Sequence, residues 1–122
     1  MPKLLEGLRI LVLEDELLTA LDLARMIEDC GGEVVGPVGR LEQARELVRR
    51  EQIDAAVLDV QLNGETSLAL AEELLSRGLP VLLTTGYESE TLSRSLAEMP
   101  RLNKPYSDVD FWSMARQHLV RG

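Results

Sequence analysis

Short apolar runs alternate with longer amphipathic segments along the chain. Four of the runs show no regular alternation of polar and apolar residues, as expected for strands that are buried on both faces of a sheet. They are Arg9–Leu13, Glu33–Val38, Ala55–Leu58 and Val81–Leu83. A fifth run, Arg101–Asn103, is short and polar enough to be either an edge strand or no strand at all.

The segments between these runs have the spacing of amphipathic helices, with an apolar residue at every third or fourth position. The first segment ends at Gly31-Gly32 and is predicted to bury Leu17, Ala20, Leu21, Ala24 and Ile27. The second is predicted to bury Leu41, Ala44, Leu47 and Val48. The third is predicted to bury Leu68, Ala71, Leu74 and Leu75.

Two more helices are predicted in the last third of the chain. A mostly polar segment, Glu88–Met99, ends before Pro100. The last helix is predicted to begin at about Asp108, with Ser107 as its N-cap. Its inward face is predicted to be Phe111, Trp112, Ala115 and Leu119.

This alternation of strands and helices favours right-handed crossovers and a parallel sheet that is covered on both faces. Five such units predict a three-layer, doubly wound α/β domain with a five-stranded parallel sheet. The length of 122 residues suits one domain over residues 1–122. We see no repeat, linker or low-complexity stretch and expect no output domain, although a domain cut from a larger protein would have the same pattern.

Charge and cysteine content narrow the classes of function. The net charge of −8 repels phosphate backbones, so we expect no nucleic-acid partner. The lone Cys30 excludes an internal disulfide and suits a reducing compartment. No apolar run approaches the length of a membrane span, and no signal-peptide pattern follows Met1. We therefore expect a cytoplasmic protein without a membrane partner.

Acids, hydroxyls and a lysine follow the predicted strands, at the edge of the sheet where open α/β folds place their sites. In chain order these residues are Glu14-Asp15-Glu16, Asp59, Thr84-Thr85 and Lys104. Each is a weak signal alone, since an acid after a strand often only caps the next helix, as we expect mainly of Glu16. We expect His118, far from the strand ends, to be structural. The joint appearance of the set in this order is the specific signal.

Such a set suits phosphoryl transfer to a carboxylate. Carboxylates that lie close together repel one another unless a cation lies among them, and oxygen ligands suit Mg²⁺. A carboxylate beside the ion can attack phosphorus and form an acyl phosphate. The ion and a lysine would neutralise the transferred oxygens, and a threonine hydroxyl would donate a hydrogen bond to one of them.

Four segments together resemble the receiver domain of two-component response regulators. They are Leu13-Glu14-Asp15-Glu16, Leu58-Asp59-Val60-Gln61-Leu62-Asn63-Gly64, Thr84-Thr85-Gly86 and Lys104-Pro105. The resemblance implies a flavodoxin-like fold with strand order 2-1-3-4-5. It also implies that the protein is no enzyme toward other substrates and catalyses only its own aspartyl phosphorylation and dephosphorylation.

The resemblance assigns a role to each site residue. It implies that Asp59 is the phosphoacceptor, that Thr85 is the switch hydroxyl and that Lys104 pairs with the phosphoryl group. The Mg²⁺ ligands would be Asp15, Asp59 and the backbone carbonyl of Gln61, with Glu14 acting through water. The Lys104–Pro105 bond is expected to be cis, as receivers usually hold it.

Within the family, Pro80–Tyr87 and Lys104-Pro105-Tyr106 resemble the FATGUY subgroup of mostly single-domain regulators. Val81, Leu83 and Thr84 depart from its usual residues. The resemblance implies a partner that is a sensor histidine kinase, of the HWE or HisKA2 type in that subgroup, or a histidine phosphotransferase. We expect signalling by protein contact, from a monomer or a weak homodimer.

One departure from the family concerns the readout of phosphorylation. Many receivers carry a rotating aromatic residue on the last strand, where this chain has Arg101. Burial of an unpaired guanidinium is costly, so we expect Arg101 to stay exposed, paired with an acid such as Glu98 or with a partner. The segment Gly86–Met99, with sparse apolar residues, would then be the two-state element.

Three alternatives differ in kind. A dehalogenase-type phosphatase needs an Asp-x-Asp pair after the first strand, where Asp15 is followed two residues later by Leu17. A flavodoxin-like flavin protein needs hydroxyls and glycines there, where acids would repel a phosphate. A degenerate receiver that acts as a phosphorylation-independent scaffold would be expected to lack Asp59, Thr85 or Lys104.

Overall fold

The computed structural model describes residues 3–86 and 99–120. Seven strands lie within these ranges: β1 Arg9–Leu13, β2 Glu33–Val38, β3 Ala55–Asp59, β4 Gln61–Leu62, β5 Glu65–Thr66, β6 Val81–Thr85 and β7 Arg101–Asn103. Four helices lie there too: α1 Leu17–Asp29, α2 Leu41–Arg50, α3 Leu68–Ser76 and α4 Asp108–His118.

Five of the strands form one sheet in the order β2-β1-β3-β6-β7. All four neighbouring pairs are parallel. The predicted doubly wound fold and its strand order are therefore confirmed, including the weak fifth strand. Two predicted strands run further than expected, since β3 includes Asp59 and β6 extends to Thr85.

A small hairpin after β3 was not predicted. Strands β4 and β5 pair antiparallel, with Gln61 opposite Thr66 and Leu62 opposite Glu65. The turn between them is Asn63-Gly64, and Gly64 has a φ of +75°, which a residue with a side chain rarely adopts. Asn-Gly between two short strands is a strong hairpin signal. Strands of two residues are too short to show a periodic pattern, which is why the hairpin was not predicted.

The core consists of two clusters, one on each face of the sheet. Successive residues of a strand point to opposite faces, so the central strands β1, β3 and β6 each contribute to both clusters. One cluster joins the sheet to α2 and α3 through residues such as Leu13, Leu58, Leu83, Ala44 and Leu74. The other joins it to α1 and α4 through residues such as Val12, Val57, Leu82, Ile27 and Phe111. The three layers follow from this division.

The predicted inward face of α1 was right for two of its five residues. Ala20 and Ile27 are buried as expected, but Leu17 and Leu21 are 68% and 52% exposed and Ala24 is only partly buried. The residues buried instead are Leu23 and Met26. Apolar residues of this helix occupy two overlapping stripes, and periodicity does not say which stripe meets the sheet. The leucine-rich stripe is left facing outward.

The other helices follow the predictions more closely. In α3, Leu75 is exposed and Leu70 is buried in its place, for the same reason as in α1. The N-cap of α4 is Ser107, whose Oγ accepts from the backbone N–H of Asp110 at 3.1 Å. The Asp110 carboxylate accepts in return from the Ser107 N–H, which completes a capping box.

Several predictions concern the segment between β6 and β7. Residues 88–98 of the predicted polar helix, with Leu92, Leu96 and Glu98, lie outside the described residues, as does Tyr87. Met99 is described and is buried against the α2–α3 side. Among the described residues, none of the helices has the length and apolarity needed to cross a bilayer.

Candidate functional site

Three carboxylates meet where β1 and β3 end. Glu14 and Asp15 directly follow β1, and Asp59 is the last residue of β3. The two strands are neighbours with Leu13 beside Leu58, so the residues that follow in each strand lie at the same edge of the sheet. One carboxylate oxygen from each acid lies within 4.8 Å of the others. This all-oxygen group could hold a divalent cation.

Lys104 reaches the same point from the end of β7. Its Nζ lies 2.7 Å from Glu14 Oε1 and 3.2 Å from Asp59 Oδ2. Glu14 and Asp59 are only 3% and 4% exposed, so these ion pairs are poorly screened by water. The Lys104–Pro105 peptide bond is cis, as expected from the resemblance. One lysine among three carboxylates leaves the cluster with excess negative charge.

The electrostatic imbalance is visible in the pKa of Asp59. Burial and then the charge of Glu14 raise this pKa to about 7, although Lys104 opposes the shift. Burial alone would lower the pKa of Lys104, but its contacts with Glu14 and Asp59 outweigh burial, so that pKa is raised. The lysine therefore keeps its positive charge, and among the residues that the structure describes no second cation is paired with these carboxylates.

Glu14 is held by protein groups at both of its oxygens. Oε1 faces Lys104, and Oε2 accepts from the backbone N–H of Glu16 at 3.0 Å. Glu16 occupies the N-cap position of α1, but its side chain makes no capping hydrogen bond. It accepts from the Thr19 hydroxyl instead. Glu16 therefore stands at the N-cap position, as expected, but its side chain does not make the expected capping hydrogen bond.

The loop after β3 fixes the other two acids. Ser67 is fully buried, and its Oγ donates to the carbonyl oxygen of Asp59 at 2.7 Å. The backbone N–H of Asn63, in the unpredicted hairpin, donates to Asp15 Oδ2 at 3.1 Å. No role was predicted for Ser67 or for the Asn63 N–H. The signal for Asn63 was the Asn-Gly turn, and for Ser67 there was none.

Thr85 lies at the end of β6, one strand from Asp59. It is 1% exposed, and its Oγ1 donates to Asn103 Oδ1 at 2.9 Å. The residue beside Asp59 in the β3–β6 register is Thr84. Asn103, the register partner of Thr85, was not predicted as a site residue. Among the described residues, only Asn103 accepts a hydrogen bond from the Thr85 hydroxyl.

A groove opens beside the carboxylates, between the start of α1 and the turn after β7. Its volume is about 680 Å³, and Leu18, Lys104, Pro105 and Tyr106 contribute to its lining. Leu18 is 76% exposed and continues the outward leucine stripe of α1. Lys104 therefore borders both the carboxylates and an open, partly apolar surface.

The remaining candidates of the sequence analysis lie elsewhere. Arg101 is exposed on β7, as expected, while its predicted partner Glu98 is outside the described residues. His118 is the last residue of α4 and is partly buried. Cys30 is buried at the C-cap of α1 and suits a structural role.

Comparison with known proteins places this site in context. A family model described as the response regulator receiver domain matches residues 10–109. The transcriptional regulatory protein PdtaR of Mycobacterium tuberculosis is 32% identical over 106 residues, which cover 84% of this chain and 52% of PdtaR. The chain thus spans about half the length of the curated relatives it matches.

Solved structures agree with the architecture. The solution structure of SdrG from Sphingomonas melonis Fr1 is 33% identical, with a TM-score of 0.79, and covers 91% of this chain and 93% of SdrG. The receiver domain of the PhyR response regulator from Erythrobacter litoralis has a TM-score of 0.80 over 92% of this chain and 89% of that domain. Its identity of 24% supports the fold alone.

Proposed function

This chain belongs to the response regulator receiver domain family, and we propose that it accepts a phosphoryl group on Asp59 in a Mg²⁺-dependent reaction. The observation that carries the proposal is the buried Asp59 carboxylate, 3.2 Å from Lys104 and within reach of two further acids. The proposal includes one receiver domain over residues 1–122 that lies in the cytoplasm and acts by protein contact, with no nucleic-acid or membrane partner.

The acids would hold the ion. We assign Asp15, Asp59 and the backbone carbonyl of Gln61 as its ligands. Glu14 would act through water, because Lys104 and the Glu16 N–H already occupy its two oxygens. The Asn63 N–H orients Asp15, and Ser67 holds the backbone of Asp59. When bound, Mg²⁺ supplies the positive charge that neutralises the phosphoryl oxygens and keeps Asp59 ionised at neutral pH.

The chemical step uses the residues already in place. A carboxylate oxygen of Asp59 attacks phosphorus, the bond from phosphorus to the donor's histidine nitrogen breaks, and that imidazole leaves with its electron pair. Lys104 exchanges its contact with Asp59 for one with a phosphoryl oxygen. Thr85 donates a hydrogen bond to another phosphoryl oxygen. Water later hydrolyses the acyl phosphate, so the domain catalyses both steps on itself and on no other substrate.

The donor would be a sensor histidine kinase, of the HWE or HisKA2 type, or a histidine phosphotransferase. The surface beside the site suits such a protein partner. Leu17, Leu18 and Leu21 are exposed on α1, and Leu18 lines the groove that also borders Lys104. Exposed apolar residues of this kind mark interaction surfaces when they are contiguous. A helix that presents a phosphohistidine could pack on these leucines.

The direct test is phosphorylation by a small donor. Acetyl phosphate with Mg²⁺ should add one acid-stable, base-labile phosphate to the protein, detected by intact-mass spectrometry. Asp59→Asn should add none, while the control Asp29→Asn, at an exposed acid on α1, should label like the wild type. Equal labelling of Asp59→Asn would place the phosphoacceptor elsewhere. An unlabelled wild type that still binds its kinase would support the scaffold alternative.

A further inference from the structure

Thr85 and Asn103 form a side-chain hydrogen bond across two neighbouring strands beside the carboxylates. Thr85 Oγ1 donates to Asn103 Oδ1 over 2.9 Å. The two residues are register partners in the parallel β6–β7 pair, so their side chains leave the same face of the sheet. The bond therefore follows from the strand register and is not an accidental contact between loops.

The Thr85 hydroxyl has a single proton and donates one hydrogen bond at a time. In this structure the acceptor is the side-chain oxygen of Asn103. A hydrogen bond from Thr85 to a phosphoryl oxygen on Asp59 therefore requires that the bond to Asn103 be broken. Thr85 is only 1% exposed whereas Asn103 is exposed, so water can replace the lost bond at the Asn103 side chain more readily than at the Thr85 hydroxyl.

We infer that Asn103 is a positioning residue that holds the Thr85 hydroxyl away from the site until a phosphoryl group competes for it. The inference rests on the proposed function, since it requires a phosphoryl group on Asp59. Strand β7 links this change of hydrogen-bond partner to the site, because Lys104 directly follows Asn103. The Lys104 N–H donates to the Thr85 carbonyl oxygen at 2.8 Å. Loss of the Asn103 contact would therefore free Thr85 next to the lysine that also contacts Asp59.

The test is the affinity of the full chain, with Mg²⁺, for beryllium fluoride, which mimics a phosphoryl group on the aspartate. Asn103→Leu removes the acceptor at similar volume and should raise this affinity roughly 2- to 10-fold, the range of one net neutral hydrogen bond. The control is Arg101→Leu, which introduces the same side chain two residues earlier on the same face of β7. Arg101 is exposed like Asn103 but lies opposite Leu83 and not Thr85, so this variant should bind like the wild type.

A second background separates positioning from general structure. In Thr85→Val no hydroxyl remains to be held, so Asn103→Leu should then leave the affinity unchanged. An unchanged or weaker affinity for Asn103→Leu alone, or an equal gain in both backgrounds, overturns the inference. Should Asn103→Leu fail to fold, the wild-type structure with beryllium fluoride decides, because persistence of the Thr85–Asn103 bond contradicts it. A wild type that binds no beryllium fluoride overturns the proposed function itself.

Discussion

Replacement of Asp59 by asparagine should stabilise the metal-free protein, and more so as the pH rises. The folded pKa of about 7 lies above the ordinary value of 3.8. Below pH 4 both states bind the proton, so the substitution should change little. Between pH 4 and 7 the unfolded chain releases this proton first, so ionisation increasingly favours unfolding. Above pH 7 Asp59 is ionised in both states, and the folded protein bears the full cost of its buried charge.

The size of the effect follows from the pKa difference. Three pKa units correspond to about 4 kcal/mol at 1.36 kcal/mol per unit, which is an upper bound. Asp59 is coupled to Glu14 and Lys104 in a site that opens to a groove, so we expect about half, roughly 2 kcal/mol at pH 8. For a domain of this size that is a rise of roughly 8 °C in Tm.

Urea unfolding in EDTA at pH 5 and pH 8 measures how much the free energy of unfolding differs between Asp59→Asn and the wild type. Comparison at one pH cancels the titration of the other acids, and Asp29→Asn serves as a control with an exposed carboxylate. Saturating Mg²⁺ should shrink the gap, because it stabilises the wild type more than the variant. A destabilised Asp59→Asn, or a difference that is the same at both pH values, would refute the electrostatic reasoning.

Four further outcomes are expected. Asp15→Asn should weaken Mg²⁺ binding more than tenfold in calorimetry and block phosphorylation; unchanged affinity would show that the ion binds elsewhere. Ser107→Ala should lower the free energy of unfolding by about 1 kcal/mol through loss of the capping box, whereas Ser113→Ala in the same helix should not. Beryllium fluoride should change hydrogen exchange most in residues 84–99, and changes confined to α1 or α2 would contradict this. The protein should not retard DNA in a gel-shift assay at physiological salt, and a clear shift would disprove the charge argument.

Much of the fold could be predicted from the sequence because its signals are local. Continuous apolar runs and helical spacing located four of the five strands of the main sheet and four helices, with bounds close to those observed. Asp59 and Lys104 were identified because parallel strands bring their carboxyl ends to one edge. The weak run Arg101–Asn103 needed the structure, since three residues with one buried side chain carry little pattern.

The hydrogen bonds of the site could not be predicted in this way. Ser67 contacts the Asp59 carbonyl only because the loop after β3 folds back through a hairpin. The bond from Thr85 to Asn103 depends on the register of two strands whose residues lie 18 positions apart. Neither a residue type nor a spacing encodes such a register, because it is set by the packing of the whole sheet.

By itself, the sequence determined the order of elements, the edge of the sheet at which the charged residues gather and the family to which they belong. Tertiary structure decided which stripe of α1 is buried, because Leu17 and Leu21 are as apolar as Leu23 and only contact with the sheet distinguishes them. It also decided the pKa of Asp59, which depends on burial and on the distance to Glu14 and Lys104. Periodicity records that a residue is apolar or charged, whereas burial and electrostatic energy depend on which groups the folded chain places within a few ångströms.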